Sequence, residues 1–226
     1  MISIATSYKN RKPQFVRTLK SISQSTVKDI ELIVVDDASD EEHRLEDLVG
    51  EFPFLKIVRV DQCDKWYINP CVAFNKAFAV ATGDKIVIQN PECMHFGDVL
   101  EYVNNNLTDE NYLSFATFSL SQDSTEQMAA MPPDQLYTAM LPVIIGSKRA
   151  VFKEGESAWY NHSVYRPVAY HFCAAITKKN LDALGGFDER FAMGICYDDD
   201  EFLNRVRRAK LKVQIVDVPI VLHQWH

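Results

Sequence analysis

The stretch "YDDDEFLNRVRR" at residues 197–208 sets Asp198, Asp199, Asp200 and Glu201 side by side ahead of an apolar, basic run. Carboxylates in the first turn of a helix offset the partial positive charge of its N-terminus, which accounts for one or two of them. Crowding four together costs Coulomb energy and raises pKa values unless a cation or a proton-transfer task employs them. On a helix from about 198 to 209, Phe202, Leu203, Val206 and Ala209 form one stripe, and Asp199 falls on it, directed inward or into a cleft. Glu201, Arg205 and Arg208 share another face at the spacing of solvated ion pairs. Asp199's like-charged neighbours push its pKa up and the helix terminus pushes it down, so its net direction stays open.

The elements that must position such groups alternate. "ISIATSY", "IELIVVDD", "LKIVRV" and "KIVIQN" read as strands. Between them, "KPQFVRTLKSISQS" reads as a helix with Pro13 in its first turn. "NPCVAFNKAFAVATG" reads as another, with Asn69 as cap, Pro70 at its first position and Gly83 at its end. This alternation implies a parallel sheet with right-handed crossovers, and such sheets bind ligands beyond the carboxyl ends of their strands. Those ends carry Thr6-Ser7-Tyr8, Asp36-Asp37 and Asn90-Pro91-Glu92, and the three acidic groups would suit a metal or a polar ligand. From about 107 to 168 the pattern loosens into long loops, through "SQDSTEQ", Pro132-Pro133 and "KEGESAWYNHSVYRP". It tightens again with the strand "AYHFCAAI", the short helix "KKNLDAL", the turn "GGFDERF", the acidic helix and the β-rich tail "VQIVDVPIVLHQWH".

At 226 residues and 47% hydrophobic content the chain suits one globular domain. A formal charge of −7 argues against a nucleic-acid binder. The five cysteines, at 63, 71, 93, 173 and 196, have no paired spacing, so neither a disulfide framework nor a Cys-type zinc site is expected, and the chain suits a reducing, cytoplasmic compartment. "MLPVIIG" falls well short of the ~20 apolar residues of a membrane span, so no transmembrane segment is expected.

Read in order, "VVDDAS", "TGDKIVIQNPE", "GGFDERF", "DDDEFLNR" and "HQWH" make the chain resemble family 2 glycosyltransferases of the GT-A fold, with a second half like the galactosyltransferase C-terminal region. The resemblance covers nearly the whole chain apart from 107–168. It implies an α/β GT-A (nucleotide-diphospho-sugar transferase) fold with a mixed, mostly parallel central sheet flanked by helices. Residues 1–226 would form one catalytic domain, with 1–106 binding the nucleotide-sugar and 107–226 the acceptor.

The implied donor is a nucleotide-sugar, often a UDP-sugar. The resemblance places Thr6, Ser7 and Tyr8 at the base or ribose, and one of Asp36 and Asp37 on the uracil imide. Asn69 falls where some relatives carry a phosphate-facing Arg. The sequence departs from the family's Asp-X-Asp motif, where it has Asn90, Pro91 and Glu92, and Glu92 then stands at the position of the ligand to Mn²⁺ or Mg²⁺. A second ligand is implied in the tail, at His223 or His226. Residues three apart in a strand face opposite ways, so one of the two is expected unless the backbone turns. His226 is the last residue, consistent with a chain that continues. The spacing of Asp198 to Arg205 fits the family's acidic pair followed by Arg, which makes Asp198 the acceptor-contacting acid and Asp199 the base. Trp159, Tyr160 and His162 are sugar-stacking candidates, and the Gly185-Gly186 turn suits a close approach to the acceptor or a plain helix stop.

The expected function is thus inverting, metal-dependent sugar transfer to a glycan or other hydroxyl acceptor. The competing readings are a nucleotide-sugar or glycan-binding module without catalysis, and a nucleotidyltransferase. The last is disfavoured because no glycine-rich basic phosphate loop follows the first strand.

Overall fold

The computed structural model describes residues 1–153 and 155–226 and builds from them a nine-stranded sheet. Glu154, in the "KEGESAWYNHSVYRP" stretch, lies outside the described residues. The strands are β1 (Ile2–Tyr8), β2 (Ile30–Asp37), β3 (Leu55–Val60), β4 (Lys85–Gln89), β5 (Cys93–Phe96), β6 (Asn111–Ser119), β7 (Ala158–Asn161), β8 (Cys173–Thr177) and β9 (Lys212–His223). Their order is β3-β2-β1-β4-β8-β6-β9-β5, with β7 paired to β6. β3, β2, β1 and β4 run parallel; β8 is antiparallel to both its neighbours, β6 and β9 are parallel, and β5 is antiparallel to β9. This is the mixed, mostly parallel sheet that the resemblance implies.

Period-two alternation divides the core between the two faces of the sheet. Ile2 and Ile4 of β1 and Leu32 and Val34 of β2 pack on one side, against Phe15, Leu19 and Ile22 of α1 (Lys12–Ser23) and Val99, Leu100 and Val103 of α3 (Val99–Asn106). Ala5, Ile33 and Val35 point the other way, toward α2 (Cys71–Val80), Leu181 of α6 (Lys178–Leu184), and Phe202, Leu203 and Val206 of α7 (Asp198–Arg208). Helices therefore cover both faces and leave the strand ends free to carry a site.

The stretch 107–168 is more ordered than its composition suggests. It contains β6, α4 (Gln122–Ala130), α5 (Pro133–Gly146) and β7. "NYLSFATFS" shows no alternation because β6 is buried on both faces, Ser114, Thr117 and Ser119 included. "SQDSTEQ" is helical because the Ser121 side chain caps α4, accepting from the Ser124 amide at 3.2 Å. The strand expected over "AYHFCAAI" is confined to its end, and residues 169–172 instead approach the helices.

α2 stops at Val80, three residues short of Gly83. Gly83 serves a close approach: a Cβ there would stand 2.7 Å from the backbone nitrogen of Ser3 and 2.9 Å from the carbonyl of Met1. Backbone cannot swing aside as a flexible side chain can. Gly83→Ala is therefore expected to lower unfolding free energy by about 1–3 kcal/mol in urea titration, with an unchanged m-value.

Candidate active site

The carboxyl ends of β1, β2 and β4 open into a cavity of about 430 Å³ lined by Ser7, Asp37, Asn90, Pro91 and Glu92, with Pro70 and Phe74 from the mouth of α2. Lys9, Arg11 and Lys65 complete its wall. These three cations were not singled out in the sequence, where they sit in ordinary polar loops. The only hint was position, since Lys9 and Arg11 directly follow a strand whose end faces the ligand edge.

Glu92 is 1% exposed, yet it is surrounded by partners. Arg11 Nη1 donates to its Oε2 at 2.8 Å, and the Nε2 atoms of His223 and His226 lie 3.1 and 3.3 Å from its Oε1. Burial opposes its charge, but the two imidazoles and Arg11 hold the carboxyl well below the usual carboxylate range. Both tail histidines reach the same oxygen because β9 ends at His223 and the chain turns. The turn is fixed by buried Gln224, whose Nε2 and backbone N–H donate to the Glu92 carbonyl at 2.9 and 3.2 Å. The backbone turn that would let both tail imidazoles face Glu92 is thus present.

The nucleotide-side residues divide. Ser7, Asp37, Asn90 and Pro91 line the cavity, whereas Tyr8 does not: it is 1% exposed, packs on Phe15, and donates its hydroxyl to the His43 carbonyl at 2.7 Å. Thr6 is buried and its Oγ1 has no hydrogen-bond partner among the described residues. Asp36 accepts from the Ser39 amide at 3.0 Å and lies 3.1 Å from Arg59 Nη1, at ion-pair distance without hydrogen-bond alignment, so it holds the turn after β2. Asp37 pairs with Lys65 through Oδ2, while its buried Oδ1 has no partner among the described residues. Of the two, Asp37 is the one that lines the cavity. Asn69 is buried away from the cavity, so a phosphate-facing charge there is absent, and Lys9, Arg11 and Lys65 supply positive charge in its place.

Each of the four crowded carboxylates of α7 has its own partner. Asp198 Oδ1 accepts from Asn69 Nδ2 at 2.8 Å, Asp199 Oδ1 lies 2.5 Å from His171 Nδ1, and Asp200 Oδ1 accepts from the Tyr170 hydroxyl at 2.7 Å. Glu201 takes a two-pronged contact from Arg205. Asp198, at 7% exposure, is the most enclosed of the four and fastens α7 to the mouth of α2; Asp199, 35% exposed at its side chain, is more open than Asp198. Arg205 is not surface dressing either, because its Nη1 also donates to the carbonyls of Leu184 and Gly186 at 2.7 and 2.8 Å.

The acceptor candidates fall elsewhere. Trp159 is 4% exposed, donates its indole N–H to the Ser147 carbonyl, and with His162 lines a separate, largely apolar cavity of about 630 Å³ against Phe96, Tyr137 and Pro219. Strand alternation sends Tyr160 the other way, its ring 4.9 Å from that of His223 and 5.2 Å from Phe172. Gly186 follows the αL cap Gly185 of α6; a Cβ on it would meet Asn75 Oδ1 at 2.5 Å, so it serves packing against α2.

Residues 3–173 match the sequence model described as Glycosyl transferase family 2. The chain belongs to this family. Among curated proteins no sequence matches this family 2 chain. Solved structures with the same fold include the mannosyltransferase PcManGT from Pyrobaculum calidifontis in complex with GDP-Man and Mn²⁺, with TM-score 0.62 and 15% identity over 98% of this chain and 56% of that one. S. aureus TarS aligns with TM-score 0.65 and 13% identity over 99% of this chain and 36% of its own, and its 1–349 form with 0.65 and 12% over 99% and 60%. The family 2 chain thus spans less than two thirds of each of these structures, and at such identities the likeness is one of fold. Among the described residues no helix is long and apolar enough to cross a membrane.

The donor set of this family 2 chain fits a divalent ion. Glu92, His223 and His226 each offer a ligand atom, all within 4.8 Å of one another. One hard oxygen with two imidazole nitrogens suits Mn²⁺ better than Mg²⁺, which prefers oxygen alone. Mn²⁺ is therefore expected to raise the thermal midpoint of the wild-type chain in a concentration-dependent way, following RT ln(1 + [L]/Kd). Glu92→Ala should abolish the rise; an equal rise in that variant would place the ion elsewhere.

Proposed function

We propose that the chain catalyses inverting transfer of a sugar from a nucleotide-sugar to a hydroxyl acceptor, with Asp199 as general base. The observation that supports this is the junction of two carboxylate–imidazole clusters. His171 contacts Asp199, and the next residue, Phe172, lies 6.1 Å ring to ring from His223 of the Glu92 cluster. Phe74, which lines the cavity, also abuts the His171 ring at 5.4 Å. Phe74 thus links the His171–Asp199 contact to the wall of the cavity that Glu92 lines.

Asp37, which lines the cavity, would accept an imide N–H, a group that both uracil and guanine present. The sequence expectation favours a UDP-sugar, and the PcManGT complex, which holds GDP-Man, brings GDP-sugars into the same test. Lys9, Arg11 and Lys65 attract the diphosphate and offset the charge that grows there as the bond to C1 breaks. A divalent ion held by Glu92, His223 and His226 would neutralise the leaving diphosphate as a Lewis acid. Asp199, half-buried and held by His171 at one oxygen, takes the acceptor proton as the hydroxyl attacks the face of C1 opposite the leaving group.

A screen of UDP-, GDP- and dTDP-sugars for hydrolysis or transfer, with and without Mn²⁺, tests the reading. Asp199→Asn is expected to lower kcat by about 10²–10⁴-fold while nucleotide affinity by calorimetry stays unchanged. Full activity in that variant would remove Asp199 from the role of base. Tight nucleotide-sugar binding by the wild type with no turnover would favour the binding-module reading.

A further inference from the structure

His171 lies between the 162–170 loop and β8 and belongs to no motif. It is 7% exposed. Phe74 meets its ring edge-on at 5.4 Å and Phe187 at 4.8 Å, and those two rings pack on each other and on Phe78 and Phe202. An imidazole caged in this way cannot change rotamer without displacing the core. A buried imidazole in an aromatic cage needs a polar partner, and Asp199 Oδ1, 2.5 Å from Nδ1, is that partner.

Exposure decides which member of the pair meets a substrate. The histidine is enclosed, whereas the Asp199 side chain is 35% exposed and has no other hydrogen-bond partner among the described residues. The arrangement is the reverse of a hydrolase triad, in which a buried carboxylate orients an exposed imidazole. Resting on the transferase reading above, we propose that His171 is the positioning residue of the catalytic carboxylate: it grips one oxygen of Asp199 so that the other is aimed at the acceptor hydroxyl.

The charges around the pair agree with this. Burial pushes the His171 imidazole down, but Asp199 and then Asp198 outweigh it and leave it above its usual value. Burial pushes Asp199 up, but His171 outweighs it and leaves the carboxyl below the usual carboxylate range. The other titratable groups near the pair are Cys71 of α2, pushed up to about 11 by burial and then Asp198, Tyr112 of β6, pushed upward by burial and then Asp199, Asp200 of α7, and Tyr170, pushed up to about 12 by burial and then its bond to Asp200. The stabilisation from the raised imidazole is complete below its ordinary value of about 6.5 and is lost as pH rises through its folded value. The contribution of the depressed carboxylate is present above its ordinary value and is lost as pH falls through its folded one.

The test uses the full chain with Mn²⁺ and two probes, GDP-mannose and UDP-glucose, whose hydrolysis is followed across pH. His171→Phe keeps a ring in the cage and removes the N–H, while His171→Asn returns an amide N–H near the place of Nδ1. His171→Phe is expected to lower kcat on the order of 10²-fold with KM for the donor changed by less than about twofold. His171→Asn should recover most of the rate, and both variants should move the acidic limb of the pH profile upward, since Asp199 loses a cation in each. Wild-type kcat and profile in His171→Phe would overturn the proposal. Failure of the transferase reading is distinguishable, because the contact is also read without turnover. By NMR titration the His171 imidazole pKa should fall in Asp199→Asn relative to wild type, and an unchanged value would overturn the proposal even in a chain that transfers no sugar.

Discussion

The site is organised around a carboxylate taken almost wholly out of water. An ionised Glu92 at 1% exposure would be untenable alone, since a buried unpaired charge costs several kcal/mol even after relaxation. It is tenable because three cationic or potentially cationic groups converge on it from distant parts of the chain. Arg11 comes from the entry to α1, and His223 and His226 from the end of β9. The requirement that this charge be paired fixes the turn at Gln224, brings the tail across the sheet edge, and sets the inner wall of the cleft.

A second group of paired carboxylates lies at the start of α7. Asp198 and Asp199 open α7, and each is anchored by a side chain outside that helix, Asn69 for the first and His171 for the second. Arg205 closes the far side by gripping both Glu201 and the carbonyls of the α6 turn. The crowding of like charges in one helical turn is thus resolved by giving each a separate partner. The turn keeps its favourable position at a helix N-terminus, with Asp199 half-buried and Asp200 exposed.

Much of this was readable in the sequence because it depends on local rules. The βα alternation located β1 to β4, α1 and α2, and the rule that ligands sit beyond parallel strand ends picked out Ser7, Asp37 and Glu92. What escaped was set by tertiary context. β6 is buried on both faces and so lacks the alternation that marks a strand, and a serine cap turned a polar stretch into α4. Trp159 and Tyr160 are adjacent, yet strand geometry sends one into an apolar cavity and the other to His223, a choice of face that residue type does not encode. His171 and Lys65 carry no motif, and only the fold brings them to Asp199 and Asp37.

The central claim is that a divalent ion and Asp199 of α7 address one ligand in one cleft. Anomalous diffraction from a crystal soaked with Mn²⁺ and a nucleoside diphosphate tests it most directly, because a second group of potential ligands exists at His171, Asp198 and Asp199. The expected result is a single manganese peak among Glu92, His223 and His226, with the diphosphate against Lys9, Arg11 and Lys65 and with Asp199 open to the same space. Manganese seated at His171 and the two aspartates, or a nucleotide bound out of reach of Asp199, would contradict it.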